Sequence, residues 1–136
     1  MPTKLQVLEQ YFGYPSFRPG QEELIDALLS GRDVLGVLPT GAGKSLCYQV
    51  PALLMEGITL VVSPLISLMK DQVMALVHKG VRGAYLNSSL TWNQYRAALR
   101  NARAGVYKII YVAPERLLTP EFLDFAKSAP ISMVTV

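Results

Sequence analysis

The sequence predicts an α/β fold built on a parallel sheet, and three observations carry that prediction. Short β-rich runs alternate with longer helical patterns from Val34 onward, the arrangement of right-handed βαβ units. Two runs, Val61-Val62 and Ile109-Ile110-Tyr111-Val112, are continuously apolar, as strands covered on both faces are. Three runs also end in proline-bearing turns: Leu38-Pro39-Thr40-Gly41, Ser63-Pro64-Leu65 and Ala113-Pro114-Glu115. In a parallel sheet such turns share the carboxyl edge, where open α/β folds bind ligands. Each proline also suits the first position of a helix, so the pattern locates an edge without making it a site.

Taken in order, Leu5, Leu8 and Phe12 line one face of a first helix over Leu5–Phe12. Gly13–Phe17 is a turn, Pro19 suits the first turn of a second helix reaching about Leu29, and Gly31 is its C-cap. Strands are expected at Val34–Leu38, Ile58–Val62, Gly83–Leu86, Lys108–Val112 and Ile131–Val136. The helices between them are Lys44–Met55, Pro64–Lys79, Trp92–Ala104 and Pro114–Lys127. Thr91-Trp92-Asn93-Gln94 has the spacing of a capping box.

Composition agrees with one compact unit. At 136 residues, 51% hydrophobic and 17% charged, the chain must bury a core and cannot be a disordered polyelectrolyte. Thirteen Lys and Arg against ten Asp and Glu leave +3, a mild bias compatible with nucleic acid without demonstrating it. The single cysteine, Cys47, excludes an internal disulfide framework or a cysteine-rich zinc site and fits a reducing compartment. Met1–Leu5 has no targeting character. The apolar window Leu46–Met69 is broken by Pro51, Gly57 and Pro64, so it reads as a helix and a buried strand, with no membrane partner expected.

The chemistry concentrates in Leu38-Pro39-Thr40-Gly41-Ala42-Gly43-Lys44-Ser45, which follows a predicted strand and opens a predicted helix. That context predicts a phosphate-binding loop. Its glycines let successive N–H groups converge on phosphate oxygens. Lys44 brings a point charge to the terminal phosphates, and Ser45 offers a hydroxyl to Mg²⁺. The helix dipole adds about 0.3–1 kcal/mol for an anion. The strict pattern has glycine where Leu38 stands, and a purely structural glycine turn is the alternative.

Four segments then occur in a telling order: Phe12–Gln21, Leu38–Ser45, Val61–Gln72 (with Ser-Pro-Leu-Ile-Ser-Leu-Met-Lys-Asp-Gln) and Tyr111–Leu117. Together they closely resemble the N-terminal part of the first helicase lobe of RecQ DNA helicases, within superfamily 2. The likeness runs from Tyr11 to nearly the end, with Ala42 where many members carry a third glycine. It implies a RecA-like helicase lobe, a parallel-sheet P-loop NTPase, truncated before the Asp-Glu-Ala-His motif. Residues 1–30 would be N-terminal helices with an adenine-recognition segment, and 31–136 a partial RecA-like ATP-binding domain.

The resemblance also assigns roles. Tyr14, Arg18 and Gln21 match the adenine-recognition segment, where an aromatic ring can stack on the base and a Gln amide can pair with its edge. Pro39, Thr40, Gly41, Ala42, Gly43, Lys44 and Ser45 would hold ATP and Mg²⁺, with Lys44 the catalytic charge. Ser63, Pro64 and Lys70 match a single-strand contact motif, and Ala113–Arg116 matches a second. Lys70 reads equally well as a solvated lysine, while Leu65, Leu68 and Met69 are assigned to the core. Glu115 is expected to cap or to pair with an arginine. The stripe Arg96, Arg100, Arg103 is read as a solvated helix face before an electrostatic track for nucleic acid, His78 as a surface residue before a proton shuttle, Cys47 as a small core residue, and Trp92 as a helix anchor before a base-stacking ring.

The resemblance implies a DNA helicase coupling ATP hydrolysis to 3′–5′ translocation and duplex unwinding in repair and recombination. Its partners are single-stranded and duplex DNA, ATP and the missing C-terminal part of its own chain. Its setting is the bacterial cytoplasm and nucleoid, or the nucleus of a eukaryote. The resemblance places Asp-Glu-Ala-His beyond Val136, so the 136 residues alone are expected to lack unwinding and to hydrolyse ATP negligibly. An RNA helicase or other superfamily 2 motor, or a non-catalytic nucleotide-binding module, are the alternatives.

Overall fold

The computed structural model describes residues 2–38 and 43–136. The chain forms two compact units, Met1–Glu56 and Gly57–Val136. Among the described residues, no helix is long and apolar enough to cross a membrane.

The first unit is helical. Helix α1 (Lys4–Val7) opens on a capping box, the Thr3 hydroxyl accepting from the Gln6 N–H at 3.2 Å and the Gln6 side chain accepting from the Thr3 N–H at 2.8 Å. It runs on into a π-turn over Leu8–Phe12. That wider turn changes which side chains share a face: Val7, Leu8 and Phe12 are buried, and the expected Leu5 stays 42% exposed. Helix α2 (Gln21–Leu29) buries Gln21 and Ile25. It begins two residues beyond Pro19, because Gly20 at φ +89° cannot belong to a right-handed helix. Gly31 ends it as expected, with Gly31 N–H donating to Leu28 and Arg32 N–H to Ala27. The Lys4 ammonium donates to Asp26 at 2.6 Å and meets Glu22 at 2.9 Å, which ties α1 to α2. Helix α3 (Leu46–Leu54) buries Val50, Pro51 and Ala52.

The strand expected at Val34–Leu38 does not form. Among the described residues, 32–38 have no ladder partner, and Leu35 and Val37 are 92% and 87% exposed. Their β-rich composition suits a pleated, half-buried surface; without a paired strand beside it, it dictates no strand.

The second unit is a four-stranded parallel sheet with helices on both faces, as the sequence predicts. Its elements are β1 (Ile58–Val62), α4 (Ile66–His78), β2 (Gly83–Leu86), α5 (Trp92–Arg103), β3 (Ile109–Val112), α6 (Pro120–Ser128) and β4 (Ile131–Thr135), with strand order β2-β3-β1-β4. Register is set by Leu60 against Ile110 and Ala84 against Ile110. One sheet face, carrying Ile58, Leu60, Leu86, Ile110 and Val112, packs on Tyr95, Leu99 and Ala102 of α5 and on Phe122 and Phe125 of α6. The other face receives Val73 and Leu76 of α4 beside Gly83. Gly57 enters this sheet at φ +88°, so close to Pro130 that a β-carbon would collide with the Pro130 carbonyl.

Two helices differ from expectation. Pro64 lies ahead of α4, which starts at Ile66, because the Ser63 hydroxyl accepts from the Leu65 N–H at 3.2 Å and shapes a turn first. The single helix expected over Pro114–Lys127 is a 3₁₀ turn at Pro114–Arg116 and then α6. Pro120 forces Thr119 out of the helical region (φ −70°, ψ 144°), so the chain must stop and restart.

Candidate functional site

In the first unit, Gln21, Gly43, Lys44 and Ser45, four of the residues assigned to nucleotide binding, come together at the start of α3. Leu46, Cys47 and Tyr48 donate their N–H groups to the carbonyls of Gly43, Lys44 and Ser45, so Lys44 and Ser45 are wound into the turn that opens the helix. Both side chains are exposed, and Ser45, the N-cap, makes no side-chain capping bond. Its hydroxyl therefore remains available to a ligand. Pro39, Thr40, Gly41 and Ala42 lie outside the described residues.

Gln21 joins this turn to the segment before it. The side chain is 1% exposed. Its amide oxygen accepts from the Arg18 N–H at 2.8 Å, and its amide nitrogen donates to the Gly43 carbonyl at 3.0 Å. Arg18 precedes α2, so the two residues do not share a helical face; one amide instead holds both backbones. Gly43, at φ +73°, would place a β-carbon 2.5 Å from the Gln21 amide nitrogen, so this approach requires glycine. Tyr14 and Arg18 are exposed, Tyr14 at 45%. Cys47 is half-buried, and burial pushes its thiol pKa up.

In the second unit, the carboxyl ends of three adjacent strands converge. The Ser63 N–H donates to Val112 and the Ala113 N–H to Leu86, so the turns after β1 and β3 continue the ladder before diverging. Ser63 is half-buried, while Pro64 and Lys70 are exposed. Of the three residues assigned to the core from their spacing, Met69 is buried while Leu65 and Leu68 are 53% and 46% exposed; α4 buries Val73 and Leu76 beside Met69. Starting the helix at Ile66 sets which side chains face the sheet. Glu115 is exposed, and none of the ion pairs among the described residues includes it.

Little in the sequence announces the residues that hold this edge together. Asn87, just past β2, is 1% exposed. Its carbonyl accepts from the Arg116 guanidinium at 3.3 Å, and its side-chain amide meets the Met69 sulfur at 3.5 Å. Its side-chain oxygen takes the Ser89 N–H at 2.9 Å. The Arg116 guanidinium lies over the buried Tyr95 ring, 4.7 Å from its centroid. The turn after β3, the end of β2 and helix α4 are thus linked through one buried asparagine. The sequence signal for Asn87 is its place in Leu86-Asn87-Ser88-Ser89, an apolar strand end followed by turn formers.

Residues 18–133 match the family model of the DEAD/DEAH box helicase. The chain is 50% identical over 134 residues to the ATP-dependent DNA helicase RecQ of Pasteurella multocida, covering 98% of this chain and 21% of that protein. It is 48% identical over 135 residues to the ATP-dependent DNA helicase RecQ of Haemophilus influenzae, covering 99% and 22%. It thus spans about a fifth of the length of these curated relatives. A crystal structure described as a hypothetical ATP-dependent RNA helicase from Sulfolobus tokodaii aligns with a TM-score of 0.71 at 23% identity, over 96% of this chain and 40% of that one. At that identity the likeness establishes the fold.

Proposed function

Because the chain belongs to the DEAD/DEAH box helicase family, we propose that it is the ATP-binding, N-terminal part of an ATP-dependent DNA helicase of the RecQ type. The observation that carries the reading is the Gln21 bridge, which presents Lys44 and Ser45 at the opening of α3 with the Arg18 segment fixed beside them. Lys44 neutralises charge on the terminal phosphates, and the first N–H groups of α3 face the same anion. Tyr14 and Arg18 contact the base, and Gln21 fixes the Arg18 backbone relative to Gly43.

The exposed, uncapped Ser45 hydroxyl suits Mg²⁺, which keeps most of its waters and takes its other ligands from phosphate. Ser45 would hold the ion beside the phosphates, where its charge would offset theirs. Among the described residues, no cluster of three His, Cys, Asp or Glu could hold a metal by itself, in keeping with a site completed by the nucleotide.

The sheet edge at Ser63–Pro64 and Ala113–Arg116 receives one DNA strand, with Lys70 adding charge. Buried Asn87 and half-buried Arg116 keep the contacting turns in register. Water activation and strand movement, with 3′–5′ polarity, belong to the remainder of the helicase. Such a protein works where DNA is, in a bacterial cytoplasm or a eukaryotic nucleus.

Fluorescence anisotropy with labelled oligothymidylate and oligouridylate tests the DNA reading. The chain should bind the DNA strand, and Lys70→Ala should lower the salt slope of log K by about 0.7, the value of one single-strand phosphate contact. Preference for the RNA strand, or an unchanged slope, would contradict it.

A further inference from the structure

Helix α5 carries a feature that neither the phosphate turn nor the β1 and β3 turns use. Trp92, its first residue, is 50% exposed and stacks on the buried Tyr95 ring, with centroids 6.0 Å apart and planes 22° from parallel. The Arg96 guanidinium lies 6.0 Å from the Trp92 centroid. Tyr95 in turn sits under Arg116, the arginine that binds the Asn87 carbonyl. An exposed indole is thus held against a buried ring that also fixes the turn after β3. It follows the carboxyl end of β2, whose last residue Leu86 is in register with Val112 of β3. Trp92 therefore extends the same sheet edge by one strand.

Charge continues from it along α5. Arg96 and Arg100 are exposed, one and two turns on, and none of the ion pairs among the described residues includes them. Arg103 is committed to Asp124 at 2.7 Å. A groove of about 300 Å³ lies between α5 and α6, and there Glu121 and Asp124 oppose the arginines. Arg96 and Arg100 line this groove too, but Asp124 is taken by Arg103 and no ion pair among the described residues occupies Arg96 or Arg100.

We propose that Trp92, Arg96 and Arg100 form a single-strand platform, Trp92 stacking on an unpaired base and the two arginines taking its flanking phosphates. An aromatic face next to cations fits a single strand, whose bases are open to stacking, better than a duplex. Pre-stacking on Tyr95 limits the freedom Trp92 loses on binding. The inference rests on the sheet-edge DNA reading above and extends it to α5.

Trp92 is the chain's only tryptophan, so its emission reports on this site without a label. The chain should be titrated with an oligothymidylate of about ten nucleotides, within the span of common single-strand sites. Trp92 emission should fall saturably, and Trp92→Ala should weaken binding about tenfold. Trp92→Tyr, which keeps an aromatic face, should stay within about threefold of the parent. The Arg96→Ala/Arg100→Ala pair should lower the salt slope of log K by about 1.4. Circular dichroism checks that each variant is folded, and Trp92→Tyr keeps the test open should the alanine variant unfold.

Binding that responds to Lys70→Ala, with Trp92 emission unchanged and Trp92→Ala as tight as the parent, overturns the platform alone. The same holds if the Arg96→Ala/Arg100→Ala pair leaves the salt slope unchanged. No binding of the oligonucleotide to the parent chain overturns the sheet-edge reading and the platform with it.

Discussion

Gln21 offers a sharp test of how the nucleotide site is assembled. Its buried amide accepts from the Arg18 N–H and donates to the Gly43 carbonyl. Each bond is worth about 0.5–1.5 kcal/mol net, so Gln21→Ala should cost about 1–3 kcal/mol of stability. At an m-value of about 2 kcal/mol per molar urea, the midpoint should fall by roughly 0.5–1.5 M, read by far-UV circular dichroism. Gln21→Glu separates the two halves. A carboxylate still accepts from Arg18, but it has no proton for the Gly43 carbonyl and sets oxygen against oxygen there. It should therefore lose stability as well, despite its matching shape. Nucleotide affinity should fall in both variants, because Gly43 leads directly into Lys44 and Ser45. If Gln21→Ala melts with the parent while losing nucleotide affinity, the amide reads the base and does not staple the backbone. That result would refute the reasoning.

Other perturbations probe the frame around the two sites. Gly57→Ala adds a β-carbon at φ +88° against the Pro130 carbonyl; it should cost at least about 1–2 kcal/mol in a urea melt, and a neutral result would contradict the close approach. Lys4 has its pKa raised first by the hydrogen bond to Asp26 and then by that to Glu22. Its contribution is fully present below lysine's ordinary 10.5 and is lost as pH rises through the higher folded value. The stability gap between parent and Lys4→Met should thus be constant from about pH 7 to 10 and close above that range; at these exposures it is about 0–1 kcal/mol. Cys47, its thiol pKa pushed up by burial, should react with iodoacetamide at pH 8 more slowly than in the urea-unfolded chain. Equal rates would place it at the surface.

Elements that follow from local chemistry were legible in the residues. Ile58–Val62 and Gly83–Leu86 form as strands over the expected residues, and the Thr91–Gln94 capping box opens α5. Apolar runs and caps are written where they act. The misses depend on what surrounds a segment. Val34–Leu38 has strand composition and no strand, because pairing is a property of two segments. The π-turn at Leu8–Phe12 has no motif to announce it, and it leaves Leu5 outside the apolar face. The break before α6 was readable, since Thr119-Pro120 is a helix start in its own right.

The candidate sites divide in the same way. Lys44 and Ser45 stand in a motif, and their position at the opening of α3 follows from it. Asn87 does not stand out, and the motif that contains Arg116 does not show its partners, because these depend on a carbonyl and a ring brought close only by the strand order β2-β3-β1-β4. Gln21 could be selected as a site residue, but its two backbone partners could not be read from spacing.

The central claim is that the opening of α3 holds the phosphates of ATP, and a direct measurement is titration of the chain with a fluorescent ATP analogue and Mg²⁺. Binding should be saturable and competed by unlabelled ATP, and Lys44→Ala should weaken it by about 10- to 100-fold, the loss of a charge-assisted hydrogen bond. No saturable binding by the parent chain, or equal affinity in Lys44→Ala, would contradict it.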